Sequence, residues 1–151
     1  MVQNFKREGN VIDYEVAISQ SIDKGDFVKI NADGNKVQVA TAGDAILGVS
    51  ESTIRTDASG NVLGSHKEPT RTDVIDATRP AIIAVRRTQN IYATVVGDNA
   101  VPIKIGDELE IESKNKLEIK TGGTAVAIAE EFIPIQATPI NNVVEVRLKT
   151  Y

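Results

Sequence analysis

The residues whose type and spacing best suit chemistry are four carboxylates, Glu108, Glu110, Glu112 and Glu118, at alternate positions of two neighbouring apolar runs. Gathered together they would hold Ca²⁺ or supply an acid–base pair of unlike pKa. Calcium sites draw their ligands from a sharp loop, whereas these lie along a flat ladder facing Lys116 and Lys120. With Glu112 opposite Lys116, Glu108 opposite Lys120 and Glu110 opposite Glu118, the ladder reads as a solvated strand face with weak cross-strand pairs. His66 is the only His, so no His-based metal cluster forms. Ser65-His66 with a distant Asp has the composition of a triad, but its Gly-Ser-His-Lys-Glu-Pro context lacks a strand-to-helix elbow and an oxyanion donor. The chain has no Cys, which removes thiol nucleophiles, disulfides and thiolate zinc sites. Neither glycine-rich phosphate signature is present. The aromatics Phe5, Tyr14, Phe27, Tyr92, Phe132 and Tyr151 are too scattered for a base-stacking platform. The expectation is a non-enzyme that uses no cofactor and no metal.

The elements that would position any site read as strands. Val, Ile and Thr alternate in short runs bounded by Gly, Asn and Asp, and no window offers three helical turns. Candidate strands are 14–19, 26–30, 36–40, 45–50, 81–87, 91–96, 108–112, 116–120, 126–130, 133–138 and 143–149. The last sets Val144, Val146 and Leu148 on one face and Glu145, Arg147 and Lys149 on the other, as a half-buried antiparallel strand does. An internal repeat runs through this pattern. Gly25-Asp26-Phe-Val-Lys-Ile30 is echoed by Gly106-Asp107-Glu-Leu-Glu-Ile111, Asn35-Lys36-Val-Gln-Val39 by Asn115-Lys116-Leu-Glu-Ile119, and Thr41-Ala-Gly43 by Thr121-Gly-Gly123. Ala45-Ile46 is matched in the same way to Ala127-Ile128.

Keeping each apolar face intact sets the hairpin registers, because a one-residue slip turns that face to water. Ile111 must oppose Leu117 and Leu109 must oppose Ile119, leaving Ser113-Lys114-Asn115 as a loop whose last residue is left-handed. In the first copy Ile30 opposes Val37 and Val28 opposes Val39, around Ala32–Asn35. The expected fold class is all-β: a small barrel or sandwich with two related hairpins.

A chain of 151 residues suggests a single domain, here residues 13–151. A net charge of −4 argues against nucleic acid as a direct partner. No apolar run is long enough to cross a membrane and no export signal is read, so the protein is expected to be soluble. Residues 51–79 are polar and glycine-spotted, and read as an irregular insertion that helps make contacts.

Residues 1–12 read as an extended N-terminal arm. They combine one aromatic, a basic pair, two Asn and a Gly, with no period before Val11, so they bury little against their own domain. Extended, such a segment reaches on the order of 40 Å, far enough to lie on another subunit. The succession Gln3-Asn4-Phe5, Gly9-Asn10-Val11-Ile12-Asp13-Tyr14, Ile22-Asp-Lys-Gly25-Asp26-Phe-Val28 and Gly48-Val49 resembles the head decoration, or capsid cement, proteins of tailed double-stranded DNA phages. The match covers about the first third of the chain, and the 51–79 stretch departs from the shorter members.

The resemblance implies a β-tulip-like domain that forms a homotrimer on the outer surface of the phage head. The arm would lie across subunits of the major capsid protein. Val2, Gln3, Asn4, Phe5, Lys6, Arg7, Gly9 and Asn10 would make the contacts, with Ile12, Asp13 and Tyr14 leading into the domain. The alternative from another class is a non-catalytic small-ligand or glycan-binding β module, with its site on 51–79.

Overall fold

The computed structural model describes residues 11–63, 74–76, 81–97, 100–136 and 140–150. It is all-β, with no helix among the described residues. Where the sequence suggests one domain, two compact units are found, the first formed by residues up to Val39 and Gly48–Arg87, the second by Ala40–Leu47 and the chain from Thr88 onward.

The first unit contains β1 (Val11–Glu15), β2 (Ser21–Ile22), β3 (Phe27–Ile30), β4 (Val37–Val39), β5 (Gly48–Ser50), β6 (Ile54–Arg55), β7 (Val62–Leu63), β8 (Val74–Asp76) and β9 (Ile82–Arg86). Five of them form a sheet in the order β1-β9-β5-β3-β4, and a parallel bridge between Val16 and Val37 brings its two ends together. The 51–79 stretch contains β6, which pairs with β2, and β7, which pairs with β8. The second unit contains β10 (Asn90–Val96), β11 (Glu108–Ser113), β12 (Lys116–Ile119), β13 (Ala127–Ala129) and β14 (Asn141–Leu148), closed into a five-stranded barrel.

The two units repeat one plan. Around each sheet the strands follow the same order, with β1, β9, β5, β3 and β4 matched by β10, β14, β13, β11 and β12. Pairing agrees residue by residue. Phe27 opposite Val49 corresponds to Glu108 opposite Ile128, and Ser50 opposite Val85 to Ala129 opposite Val146. The Val16–Val37 bridge corresponds to Val95 opposite Leu117, and Ile22 opposite Ile54 to Ile103 opposite Ile133. An ion pair recurs too: Glu51–Arg86 in one unit and Glu130–Arg147, at 3.3 Å, in the other. The repeat therefore reaches well beyond two hairpins and takes in all five sheet strands. Register also corrects the sequence match for Ala127-Ile128, which is Gly48-Val49 and not Ala45-Ile46. The offset between copies is 79 at Glu51/Glu130 but 61 at Arg86/Arg147, so the insertion of the first unit accounts for the difference.

A shared turn opens the strand that begins each hairpin. Gly25 and Gly106 both have φ of 95°, a region that costs glycine nothing. The following Asp folds back: Asp26 Oδ2 accepts the Asp23 N–H at 2.7 Å, and Asp107 Oδ2 accepts that of Lys104 at 2.8 Å. These Gly-Asp pairs are the most visible repeat in the sequence because the turn needs both residues at once.

Both hairpin registers agree with the sequence reading, as do the buried Val144, Val146 and Leu148 of β14. Phe27 is fully buried. The loop after β11 differs from expectation. Ser113 pairs with Lys116 through a bulge following Ile111, so the turn is Lys114-Asn115 and Asn115 is not left-handed. The bulge absorbs the odd residue while keeping Ile111 opposite Leu117. Among the described residues of the expected 133–138 strand, only Ile133 makes a bridge, to Ile103.

Buried Thr56 ties the 51–79 stretch to the segment between β1 and β2. Its Oγ1 donates to the Ala17 carbonyl at 2.7 Å and accepts the Gln20 N–H at 2.8 Å. Thr56→Val leaves both backbone groups unpaired and is expected to cost about 2 kcal/mol, whereas Thr56→Ser, which keeps the hydroxyl, costs less. Urea titration of the two variants checks this, and equal losses would refute it.

Candidate functional site

Val2, Gln3, Asn4, Phe5, Lys6, Arg7, Gly9 and Asn10 lie outside the described residues. The remaining three positions expected to contact a partner fall in β1. Pairing begins at Val11 opposite Arg86 and runs through Ile12, Asp13 and Tyr14 opposite Val85, Ala84 and Ile83. Residues 11 and 12, read as arm, therefore belong to the sheet. Tyr14 is fastened there, its hydroxyl accepting from Arg87 Nη1 at 3.2 Å. Asp13 is exposed on the strand, and Ile12 is a large apolar side chain left open to solvent. β1 ends the sheet order: β9 covers one side, and on the other the described pairing is confined to the parallel bridge just past it, Val16 to Val37. An edge of that kind leaves backbone donors and acceptors for an added strand.

Of the carboxylates expected on a solvated ladder, Glu108 and Glu112 are exposed as expected but take other partners. Glu108 forms its ion pair with Lys149 at 3.2 Å, not with Lys120. Glu112 accepts from the Ser113 hydroxyl at 2.6 Å. Glu110 lies opposite Glu118 as the register requires, yet it is buried. The turn after β12 folds over it: Glu110 Oε1 accepts the Thr121 N–H at 3.1 Å and the Thr121 hydroxyl at 3.0 Å, while Oε2 accepts the Gly123 N–H. Burial pushes this carboxyl up, but hydrogen bonds from Thr121, Gly123 and Gly122 together outweigh it and hold it below its ordinary value of 4.5. Glu110 is thus a clamp for a loop, with both oxygens in use. Among the described residues no three His, Asp or Glu side chains gather where a metal ion would sit.

The Gly123 loop reaches Ala40–Leu47, which belongs to the same unit. Gly43 N–H donates to the Ile111 carbonyl at 3.2 Å, and the Gly43 carbonyl accepts from Thr124 at 3.0 Å. A Cβ on Gly123 would lie 2.6 Å from Gly43 Cα and would overlap the Glu110 carboxylate, so only glycine permits this approach.

An open cavity of about 530 Å³ in the second unit is bordered by Val101, Pro102, Lys104, Asp107, Glu108 and Lys120. Its acidic members already serve the fold, Asp107 in the turn and Glu108 in the pair with Lys149. Ser65 and His66 lie outside the described residues, as does much of the 51–79 stretch.

Sequence reasoning did not pick out the exposed apolar residues Tyr92, Val101, Ile105, Ile135, Ile140 and Val143 of the second unit. The signal was available in the repeat, since Ile105 occupies the turn position held by Lys24 in the other copy. No protein-family model matches this sequence, and no curated protein is similar to it.

Proposed function

We propose that this chain is a non-enzymatic head decoration protein that binds the outside of a phage capsid as a homotrimer and cements neighbouring major capsid protein subunits. The observation that carries the reading is the passage from an arm-like sequence at 1–10 directly into an edge strand at Val11. An arm rooted on a rigid ladder gains order when it docks, and an open strand edge offers backbone pairing next to the docking segment.

The energetics favour several arms acting at once. Burying Phe5 contributes roughly 1.5–3 kcal/mol, with Val2 adding a smaller apolar contact. Lys6 and Arg7 meet carboxylates on the shell, and Gln3, Asn4 and Asn10 satisfy backbone groups. Ordering the segment costs about 1–2 kcal/mol per residue, so one arm binds weakly. Three arms on one oligomer gain from effective concentration, and together they link capsomers against internal DNA pressure.

Deleting residues 1–10 tests this. The truncated chain should keep its fold and its self-association while its affinity for undecorated shells falls at least about tenfold. Co-sedimentation with shells measures it, and full binding by the truncation would refute the arm's role.

A further inference from the structure

The open cleft beside Val101, Lys104 and Lys120 has a counterpart in the first unit, and there the fold fills it with a side chain of its own. Gln20 stands two residues before Ile22 as Val101 stands two before Ile103, and the two isoleucines hold the matched bridges to Ile54 and Ile133. The Gln20 carboxamide reaches β4: its Oε1 accepts the Val39 N–H at 2.9 Å, and its Nε2 donates to the Ile18 carbonyl at 3.2 Å. Val101 has no carboxamide to offer.

The strand that would use one keeps the same geometry. Ile119 lies opposite Leu109 as Val39 lies opposite Val28. The Lys120 N–H donates across the hairpin to the Glu108 carbonyl at 3.0 Å, so the preceding N–H, that of Ile119, points the other way, out of the hairpin. On that outer side the pairing with β10 runs only as far as Val95 opposite Leu117. Two residues further on, Ile119 borders the cleft, and among the described residues no acceptor for its N–H is found. The second unit thus keeps the donor and lacks the side chain that takes it up in the first. The space left open is about 530 Å³, within the range of sites that hold ligands.

We propose that this cleft binds an extended peptide segment of a partner protein through a Gln or Asn side chain, whose carboxamide oxygen accepts the Ile119 N–H as Gln20 accepts that of Val39. The charged residues of the lining balance, Lys104 and Lys120 against Asp107 and Glu108, which suits a neutral acceptor better than an anion. Both carboxylates already have partners, Asp107 in the Lys104 N–H and Glu108 in Lys149, so neither competes for the donor. One such hydrogen bond contributes only about 0.5–1.5 kcal/mol, too little to hold a free amide. The residues flanking the carboxamide must add apolar contact, and Val101, Pro102 and Ile119 supply the wall for it. This contact is separate from the docking of the arm, and the truncation that tests the arm leaves the cleft intact.

The probe is the peptide acetyl-Ile-Ser-Gln-Ser-Ile-amide, which copies residues 18–22. Titrated into the full chain and followed in amide NMR spectra, it should shift the Ile119 signal with saturation at millimolar peptide. Replacing its Gln by Ala should weaken binding roughly fivefold, the worth of one hydrogen bond, and replacing it by Glu should bring no gain. Val101→Gln borrows the residue of the first unit at an exposed position, and circular dichroism melts verify that the variant folds. It should slow hydrogen exchange of the Ile119 amide and weaken peptide binding at least about tenfold, because the cleft then holds its own carboxamide. No shift of Ile119 at about 10 mM peptide overturns the proposal, as does unaltered binding by Val101→Gln. Tighter binding of the Glu peptide overturns it in favour of an anion site.

Discussion

Gly48→Ala is expected to destabilise the first unit by about 3 kcal/mol or more, seen as an early transition in urea while the second unit persists. Gly48 opens β5, the strand between β3 and β9, and it is opposite Val28 in the ladder. A methyl group there would overlap the Arg86 carbonyl oxygen and come within 2.7 Å of Val85 Cγ1. Both belong to β9, so relief means pulling β5 from its neighbour and opening the sheet at its centre. The matched position in the barrel is Ala127, fully buried. Ala127→Gly should cost only about 1 kcal/mol, through backbone entropy and a lost contact. The two substitutions exchange the same pair of residues between the same positions of one fold plan. Equal, small losses from both would show that the close approach at Gly48 has no energetic weight.

Glu110→Ala should cost about 2–4 kcal/mol, because it removes the buried acceptor of the Thr121 and Gly123 donors that fold over it. Glu110→Gln should also be costly, since its amide presents a donor where the fold supplies only donors. The same clamp predicts acid lability with a definite sign. The folded carboxyl lies below the ordinary value of 4.5, so its contribution is fully present above the unfolded-chain value and is lost as pH falls through the lower folded value. Stability of the unaltered protein should therefore decline below about pH 4.5. In Glu110→Gln that part of the decline should be missing. Parallel stability profiles between pH 2.5 and 6 (denaturant melts at each pH) would rule out the clamp as a cause.

Local physics makes much of the fold readable from the order of residues. The strand alternation of Val144, Val146 and Leu148 requires a buried face, and the hairpin registers follow because every alternative turns Val28 or Leu109 to water. The Gly-Asp turns are legible because a positive φ and a side-chain acceptor are needed together, which two residue types supply.

Other features depend on partners distant in sequence. Glu110 alternates with Glu108 and Glu112 as if all three were solvated, and nothing local says that a turn eleven residues later closes over one of them. The bulge near Ser113 replaces the expected left-handed Asn115, since one extra residue in a strand can be absorbed in the ladder as well as in the loop. The full extent of the repeat is hidden because β1, β9, β10 and β14 share pairing geometry and little residue identity.

The sequence alone determined the all-β class, the two hairpins with their registers and the repeated Gly-Asp pairs that open them, because each depends on neighbours within a few residues. Only the tertiary structure decided that the hairpins are parts of two matched units, that Glu110 is buried, and that Val11 and Ile12 belong to a sheet. Those outcomes rest on contacts between residues far apart in the chain, where burial and hydrogen bonding are set by what closes over a side chain and not by its own alternation.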